Sequence, residues 1–378
     1  MHRLKSFVKQ IPGAKSTVRT VRQFLSSRSP GCLENGDWIY ERQVIEWLCN
    51  SSARKQLPLP YRVFGAYCAL QHSLGNKRIV GGQHLLKSMI SLAKLLRLKE
   101  HTRVRIGPHA VFLDLHDPRM LQVPNEVSPD YPDTSILNRF LADGDTFVDA
   151  GANHGSFSIV ASQLVGRRGL VVAIEPQKRK ADVIEKSLAA NGRCKYQVHR
   201  FACGDRIGTV EFFIPIGSSG GAGVFPEFSA VPPHRKVSVP MRRFDEAFDW
   251  NAFPGRIFLK LDVEGSEMNF LRGAREMLRA RKPAIMLEVN PAAIEAAGES
   301  DAALLTYLED LGYKHFFEVR PFSGPEPLRK LDAGGRGDVR NVIVAPREFL
   351  LRMASFLSLT EAEETLSLFS MVSISFFS

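Results

Sequence analysis

The sequence predicts an α/β protein with a mostly parallel, Rossmann-like sheet, preceded by an N-terminal helical region. Two observations lead to this prediction. Between residues 134 and 347, short apolar runs of strand length alternate with helical patterns, and repeated strand–helix units build one parallel sheet with helices on both faces. Glycine and charged residues also gather where these runs end, which is where such sheets bind ligands.

The bulk composition is that of an ordinary globular protein. The chain has 378 residues, of which 44% are hydrophobic and 24% charged, which suits one large α/β domain with a smaller companion. No apolar run reaches the roughly 18 residues that span a bilayer. The five cysteines are odd in number and lack C-x-x-C spacing. They argue against a disulfide framework or a zinc site, and we expect a cytoplasmic protein.

The net charge of +10 is concentrated in the N-terminal third. Residues 1–33 contain seven Lys or Arg and no acid, and residues 76–105 contain eight Lys or Arg and one acid. Residues 106–378 are left with a charge of −4. Nucleic-acid enzymes need positive charge near the site, because phosphate contacts supply much of their affinity. We therefore expect no nucleic-acid partner.

Residues 1–33 are predicted to form a basic amphipathic segment. The apolar residues of its first half fall at helical spacing, and they are Leu4, Phe7, Val8 and Ile11. Such a segment predicts peripheral contact with an anionic membrane surface. The alternatives are an organellar transit peptide and a helix that is solvated or packs on the rest of the protein.

Three further segments complete the division of the chain. Residues 34–101 are predicted to be helical. Residues 102–133 are predicted to be a β-hairpin around Gly107 followed by a proline-rich connector. The catalytic domain is placed at residues 134–347. Residues 348–378 form an apolar, serine-rich tail to which no function is assigned.

Within residues 134–347 the alternation predicts the following elements. The strands are residues 146–149, 170–174, 196–203, 209–214, 257–261, 283–289, 313–319 and 341–345. The helices are residues 135–141, a segment from about 156, 179–191, 266–280 and 303–312, with a flexible loop at 217–223. The glycines Gly192 and Gly312 give two of these helices a clear C-terminal stop.

The most informative motif is TFVDAGANHGSFSIV, in which a strand ends at Asp149 and a glycine loop leads into a helix. Glycine is favoured where a backbone turns sharply and approaches a ligand closely. The dinucleotide fingerprint G-x-G-x-x-G would need glycine at positions 153 and 156, which are Asn and Ser here. The pattern G-x-[GN]-x-G instead resembles the nucleoside-methionine loop of class I methyltransferases, with an ordinary strand–loop–helix turn as the alternative.

Two acidic residues follow the next strands. Glu175 ends the strand 170–174, twenty residues after Gly155, where an acid accepts hydrogen bonds from a ribose diol in nucleotide-binding units. Asp205 ends the following strand and is a candidate acceptor for an adenine amino group. A plain turn explains Asp205 equally well.

The second motif is IFLKLDVEGSEMNFLRGA, where a buried strand delivers Lys260, Asp262 and Glu264 at its end. Polar groups in such a place are costly unless they are paired or functional. Glu267 is interpreted as a favourable charge at a helix N-terminus. Because carboxylates suit Mg²⁺, a metal bound by Asp262, Glu264 and Glu288 is an alternative to the metal-free site that we expect.

Together, the segments TFVDAGANHGSFS, AIEP, FLKLDVEGSE and IMLEVN resemble the FkbM family of S-adenosylmethionine-dependent methyltransferases over residues 104–346. The resemblance implies the class I methyltransferase fold and methyl transfer to oxygen, with sugar or polyketide hydroxyls as acceptors. By motif position it implies that the cofactor is bound by Asp149, Gly151, Asn153, Gly155 and Glu175. It also implies that Lys260, Asp262 and Glu264 face the acceptor, and it leaves His154 either at the methionine part or at the surface.

The sequence therefore predicts an S-adenosylmethionine-dependent O-methyltransferase that acts on a sugar, glycan, lipid or secondary metabolite. Its acceptor would be a small molecule or a glycan. An alcohol is a weak nucleophile, so we expect Asp262 or Glu264 to act as general base, with Lys260 binding the acceptor or neutralising them. The alternatives are a nicotinamide oxidoreductase, an RNA methyltransferase and a non-catalytic membrane-associated scaffold.

Overall fold

A computed structural model of the chain describes residues 42–75, 79–216, 219–229, 233–319, 328–330, 339–346 and 349. The predicted basic segment 1–33 lies outside the described residues, as does almost all of the predicted tail 348–378. The predicted loop 217–223 is described only from residue 219, where a short 3₁₀ turn, Ser219–Gly221, replaces part of it.

The described strands form three sheets. They are β1 (His101–Ile106), β2 (His109–Asp114), β3 (Thr146–Ala150), β4 (Leu170–Ile174), β5 (Lys195–His199), β6 (Ala202–Cys203), β7 (Gly208–Pro215), β8 (His234–Arg242), β9 (Ile257–Leu261), β10 (Ala284–Val289), β11 (His315–Val319), β12 (Leu328–Lys330) and β13 (Arg340–Ala345). β1 and β2 pair as the predicted antiparallel hairpin. β6, β7 and β8 form a small three-stranded sheet.

The described helices lie before, between and after these strands. They are α1 (Arg42–Cys49), α2 (Ser51–Lys55), α3 (Leu59–Ser73), α4 (Gly82–Leu95), α5 (Val123–Glu126), α6 (Pro132–Phe140), α7 (Ser156–Leu164), α8 (Lys178–Asn191), α9 (Pro226–Ser229), α10 (Phe244–Ala247), α11 (Glu267–Gly273), α12 (Arg275–Arg281), α13 (Pro291–Ala296) and α14 (Asp301–Asp310). Short 3₁₀ turns lie at Pro118–Leu121 and Trp250–Ala252.

The central sheet has eight strands in the order β12–β11–β13–β10–β9–β3–β4–β5. Its five strands from β5 to β10 in this order are parallel, whereas β13 runs antiparallel to β10 and β11, and β12 antiparallel to β11. The prediction of a mostly parallel α/β sheet is confirmed. The chain moves outward from β3 to β5 and then returns to β9 on the other side of β3, so the switch point lies between β3 and β9, where such sheets bind ligands.

The apolar strands are buried because helices cover both faces of the sheet. Every residue of β3, β4 and β9 is buried, as expected for parallel strands covered on two sides. In β9, Phe258 packs with residues of α6, α7 and α8, while its neighbour Leu259 packs with residues of α11, α12 and α14. The alternation of strand side chains thus fixes two cores at once.

The observed elements differ from the predicted ones in three further places. The strand predicted at 196–203 is two short strands, β5 and β6. The single helix predicted at 266–280 is two helices, α11 and α12, separated at Ala274. Gly273 comes so close to the backbone of Gly204 that a Cβ atom there would lie 1.9 Å from the carbonyl oxygen, so this packing contact coincides with the break. The strand β8 is not predicted by the sequence patterns, although it pairs with β7 over eight residues.

The N-terminal helices α1 to α4 confirm the predicted helical region over its described part. Their apolar side chains form a core with the β1–β2 hairpin and α7, including Phe64, Ile90, Val111 and Ile159. The predicted connector 123–133 contains the short helix α5, all four residues of which are buried. Within the described part of the chain, no helix has the length and apolar content needed to cross a membrane.

Candidate active site

A pocket opens at the switch point, beside the carboxyl ends of β3, β4 and β9. Five residues that the motifs predict line it: Gly151, Asn153, Glu175, Asp262 and Glu264. We refer to it as the loop pocket. Its lining combines apolar side chains, among them Phe201, Phe212 and Met241, with a charged group that includes Arg119. The topology therefore brings together motifs that lie more than one hundred residues apart in the chain.

Gly151 and Gly155 are both required by the backbone, for different reasons. Gly151 has φ +79°, and a Cβ atom there would lie 1.8 Å from the carbonyl oxygen of Asp262. Glycine at 151 thus lets the loop after β3 touch the loop after β9. Gly155 has φ +76°, and its Cβ position lies 2.8 Å from Ile184 of α8. Gly155 does not line the loop pocket among its described residues, so its evident role is helix packing.

Glu175 holds the loop after β3 in place. Its buried carboxylate accepts hydrogen bonds from the backbone N–H groups of Asn153 and Gln177, both at 2.9 Å. Asn153 has φ +50° and accepts a hydrogen bond from the hydroxyl of Ser219 at 3.3 Å. Burial raises the pKa of Glu175 to about 7, although the backbone hydrogen bonds oppose the rise.

Asp149 lies behind the loop pocket and is completely buried. The hydroxyl of Ser158 donates to its Oδ2 at 2.6 Å. Its Oδ1 is buried and has no hydrogen-bond partner among the described residues. Burial raises the pKa of Asp149, and the nearby charge of Lys260 opposes this rise. An unpaired carboxylate oxygen in such a place is costly, which suits a group that completes its contacts only with a ligand.

Buried Lys260 and half-buried Asp262 form an ion pair at the end of β9. The Nζ atom of Lys260 lies 3.0 Å from Oδ2 of Asp262 and 5.0 Å from the centre of the Phe157 ring. Burial disfavours the charge of Lys260, but the carboxylates of Asp262 and Asp149 outweigh burial and raise its pKa. Lys260 therefore stays a cation beside the carboxylate of Asp262.

The loop that carries Glu264 is held in an unusual conformation. Glu264 has φ +58°, a left-handed value that costs a residue with a side chain about 1–3 kcal/mol. The buried carboxylate of Glu267 accepts hydrogen bonds from the backbone N–H groups of Val263 and Gly265, both at 3.2 Å. Glu267 therefore orders this loop, beyond the helix-end charge predicted for it. Burial raises the pKa of Glu267 to about 7.

A second cavity, the polar pocket, lies next to the loop pocket and shares Arg119 and Asp262 with it. The rest of its lining is mainly charged, amide or aromatic, and includes Glu126, Tyr131, Asp133, Phe157, Lys260, Glu288 and Asn341. The amide nitrogen of Asn341 donates to both carboxylate oxygens of Asp133 at 2.9 Å. Burial raises the pKa of Asp133 to about 6.

Arg119 and Glu126 belong to the site, yet the sequence places them in the hairpin and connector. The Nη2 atom of Arg119 donates to Glu126 at 3.2 Å, and Glu126 accepts a hydrogen bond from the hydroxyl of Ser156 at 2.6 Å. Ser156 is the first residue of α7, directly after the glycine loop. No local pattern marks these two residues, because their partners lie on other elements.

His154 is neither at the surface nor in the lining of the loop pocket. It is buried, with Nε2 lying 2.6 Å from Nζ of Lys180 and 3.6 Å from Oδ2 of Asp117. Burial and the charge of Lys180 both lower the pKa of His154. Lys180 also pairs with Asp117 and with Asp114. This buried network fastens the chain after β2 to the glycine loop and to α8.

The structure does not bring Asp205 to the loop pocket. Residues 201–203 line it instead, while Oδ1 of Asp205 lies 4.0 Å from Nη1 of Arg206. The adenine role of Asp205 stays a prediction. Asp262, Glu264 and Glu288 do come together, with one oxygen of each within 4.8 Å of the others. Lys260 already balances Asp262, and both the metal-free site and the metal alternative stay predictions.

Comparison with known proteins relates part of the chain to a methyltransferase family. Residues 149–315, which are less than half of the chain, match the family model of the methyltransferase FkbM domain. Over these residues the match confirms the resemblance identified from the motifs. The strand order, with its switch point between β3 and β9, is consistent with the class I methyltransferase fold that the family implies. A search of curated proteins finds no match.

Several solved methyltransferase structures are similar to part of this chain. The FkbM methyltransferase of Methylobacillus flagellatus is 19% identical, with a TM-score of 0.35 over 60% of this chain and 53% of that one. A methyltransferase of Aquifex aeolicus is 16% identical, with a TM-score of 0.33 over 60% and 93%. An O-methyltransferase of Thermotoga maritima is 15% identical, with a TM-score of 0.32 over 67% and 81%. The match thus spans about half of the first of these chains.

Proposed function

We propose that this protein, through its FkbM methyltransferase domain, transfers the methyl group of S-adenosylmethionine to a hydroxyl oxygen of a small, hydroxyl-rich acceptor such as a sugar or glycan. The observation that carries the proposal is the position of Asp262, which lines both the loop pocket and the polar pocket. A carboxylate between two adjoining cavities is placed to act where a ligand in one meets a ligand in the other.

The residues of the loop pocket fit the cofactor. Glu175 offers carboxylate oxygens to a ribose diol, and the apolar side chains of Phe201 and Met241 suit an adenine ring. The unpartnered Oδ1 of Asp149 suits an ammonium group or an ordered water. When bound, S-adenosylmethionine supplies a methyl group already activated by the sulfonium. The protein then has to align the acceptor oxygen and take its proton.

We assign the proton acceptor to Asp262, with Lys260 as its partner. Asp262 lines both pockets, whereas Glu264 lines the loop pocket but not the polar pocket. The ammonium of Lys260 lies 3.0 Å from Oδ2 of Asp262, so the carboxylate has a positive partner beside the place where it would accept a proton. Lys260 also lines the polar pocket, where its ammonium can donate to the acceptor oxygen. Asp262 would take the hydroxyl proton while Lys260 holds the acceptor oxygen in line with the methyl group, which the sulfonium would supply as its S–CH₃ bond breaks.

The polar pocket favours a neutral acceptor with many hydroxyl groups. Four carboxylates and two cations line it, so hydroxyl donors find acceptors while phosphates meet repulsion. The rings of Tyr131 and Phe157 suit the C–H face of a sugar ring. This balance of charge supports a sugar-like acceptor over the RNA alternative.

The proposal is tested with a labelled methyl donor and fractionated extracts of neutral glycans, lipids, small metabolites and RNA. We expect label in a neutral hydroxyl-bearing fraction, held by a linkage that survives mild base, as an ether does and an ester does not. The Asp262→Asn protein serves as the matched blank. Transfer of label to RNA, or equal transfer by the Asp262→Asn protein, would contradict the proposal.

A further inference from the structure

Arg119 stands out in the loop pocket because of its charge. Among the described residues that line this pocket it is the one cation, whereas Glu175, Asp262 and Glu264 are acids. The cofactor of the proposed function carries an ammonium, a sulfonium and a carboxylate. Glu175 is assigned above to the ribose and Asp262 to the acceptor proton, and the unpartnered Oδ1 of Asp149 suits the ammonium. A carboxylate in a largely enclosed pocket needs a positive partner of its own.

The geometry points to Arg119 as the residue that binds the methionine carboxylate of the cofactor, an inference that rests on the proposed function. A guanidinium has five N–H donors in a planar fork that matches a carboxylate. One of these N–H groups, on Nη2, donates a hydrogen bond to Oε1 of Glu126 at 3.2 Å. Arg119 shares the charged part of the lining with Asp262 and Glu264, where the amino-acid end of the cofactor belongs if adenine takes the apolar part.

The position of Arg119 is well supported. It belongs to the 3₁₀ turn Pro118–Leu121, whose N-cap Asp117 accepts from the backbone N–H of Arg119 at 3.0 Å. Asp117 is in turn held by the buried Lys180. The side chain passes beneath Gly220, where a Cβ atom would lie 3.0 Å from its Nη1. Cofactor binding is thereby linked to the chain that follows β2, outside the matched family domain.

The test compares two ligands that differ in the amino-acid part. S-adenosylhomocysteine has the carboxylate, whereas 5′-methylthioadenosine keeps the nucleoside and the thioether without it. In titration calorimetry, Arg119→Gln is expected to weaken the binding of S-adenosylhomocysteine by about 10- to 100-fold, the size of charge-assisted hydrogen bonds. The affinity for 5′-methylthioadenosine is expected to stay unchanged. Arg119→Lys keeps the charge but not the forked guanidinium, and its affinity for S-adenosylhomocysteine is expected to fall less.

The outcomes separate this inference from the function on which it rests. If wild-type protein binds neither ligand, the proposed function fails and this inference fails with it. If wild-type protein binds both and Arg119→Gln weakens them equally, Arg119 shapes the pocket as a whole and the inference alone is overturned. Unchanged affinity for S-adenosylhomocysteine would overturn it as well. Retained affinity for 5′-methylthioadenosine also shows that the variant is folded.

A second, independent observation concerns the helical hairpin α3–α4. Ten large apolar side chains are exposed among the described residues, and eight of them lie within residues 59–96. Four share one face of α3 and its end at helical spacing: Leu59, Val63, Leu70 and Leu74. The opposite face of α3, with Phe64 and Cys68, is buried in the N-terminal core. The helix is thus apolar on both faces. Among the described residues, only the face with Phe64 and Cys68 is packed against other parts of the protein.

The hairpin itself carries charge of one sign. Residues 59–99 contain seven Lys or Arg and no Asp or Glu. Five of these cations are exposed in the structure: Arg62, Lys87, Lys94, Arg97 and Lys99. A hairpin with exposed cations, no acid of its own and protruding leucines matches a bilayer whose headgroups are negative. The same charge would repel a second copy of this surface.

We infer that the α3–α4 hairpin docks on an anionic lipid surface, with its exposed leucines in the headgroup region. This surface is distinct from the basic segment 1–33, which precedes it and for which we also propose membrane contact on the basis of its sequence. Both contacts would hold the enzyme against a membrane surface.

The test is co-sedimentation of the full chain with phosphatidylcholine vesicles, with and without phosphatidylglycerol. We expect binding to the anionic vesicles only, and weaker binding at higher salt. The variant Leu70→Gln, Leu74→Gln, Leu95→Gln is expected to bind at least about 10-fold more weakly, because apolar burial drives insertion. The matched control is Ile207→Gln, Ile216→Gln, two equally exposed apolar residues elsewhere, which is expected to bind like wild type.

Three results would overturn this second inference. One is binding of the triple leucine variant equal to that of the control. Another is the absence of any vesicle binding by wild type. The third is a concentration-dependent dimer of wild type that the leucine variant abolishes in light scattering, which would make a second copy the occupant. Deletion of residues 1–33 is expected to weaken vesicle binding and leave the effect of the leucine variant visible.

Discussion

The strand-end site and the α3–α4 hairpin break the usual burial rule in opposite directions. At the site, charged groups such as Asp149, Lys260 and Glu267 are buried, where an unpaired charge costs several kcal/mol. On the hairpin, Leu59, Leu74 and Leu95 are 67–79% exposed. Elsewhere in the sheet, apolar side chains are mostly buried and charged ones at least partly exposed, so the departures are concentrated in these two regions. A cluster of buried charges marks a site for a polar ligand, and a cluster of exposed leucines marks a surface for an apolar one.

The largest effect is expected at the base. Asp262→Asn should keep cofactor binding and lower turnover by about 10²–10⁴-fold, the usual contribution of a general base. The loss should shrink at high pH, where more of the acceptor is already deprotonated. Methyl-transfer rates with the acceptor in excess, alongside calorimetry with the cofactor, check this. If Glu264→Gln loses turnover while Asp262→Asn retains it, the base is Glu264 and the assignment is reversed.

Next in size is the stability cost of a buried acid. The folded-state pKa of Glu267 is about 7, above its usual 4.5, so its stabilising contribution is complete below pH 4.5 and is lost as the pH rises through 7. Glu267→Gln keeps an oxygen acceptor for Val263 and Gly265. It should therefore be more stable than wild type by about 2–3 kcal/mol at pH 8, with little difference at pH 4.5. Urea unfolding of both proteins at the two pH values measures the difference. If the free energies of unfolding of wild type and Glu267→Gln change with pH in the same way, Glu267 is not the titrating group.

A somewhat smaller effect is expected at the ribose. Glu175→Ala should weaken the binding of S-adenosylhomocysteine by about 1–3 kcal/mol, the cost of leaving the polar partners of the carboxylate unpaired. Because the carboxylate is the better acceptor and its pKa is about 7, wild-type affinity should rise between pH 6 and 8. Glu175→Gln should remove that rise. Calorimetry across this pH range decides the matter, and a pH dependence preserved in Glu175→Gln would assign it to another group.

The smallest effect tests the other side of the comparison. Leu70→Gln should change the free energy of unfolding by less than about 0.5 kcal/mol, because an exposed side chain loses little contact. Phe64→Ala, on the opposite face of the same helix, should cost about 3–5 kcal/mol. Denaturant titration of both variants measures the difference. A large loss in Leu70→Gln would mean that this face is already covered within the protein.

Much of the site can be predicted from the sequence, because its residues are marked by patterns of neighbouring residues in the chain. Asp149 lies near the end of an apolar strand, while Gly151, Glu175 and Asp262 directly follow such strands, and parallel strands present their carboxyl ends at one edge. Strand pattern and motif spacing therefore predicted the fold class and five of the residues that line the loop pocket, including its three acids. The acid-free run from 59 to 99 is likewise visible without a structure.

Tertiary structure alone decided the rest. Arg119 and Asn341 come from segments on either side of the motifs, and only packing brings them to the polar pocket. Asn341 meets Asp133 across 208 positions of the chain, a separation that no local pattern encodes. The exposure of one face of α3 is of the same kind. Composition shows that a helix is apolar all round, but which face is covered depends on the elements that pack against it.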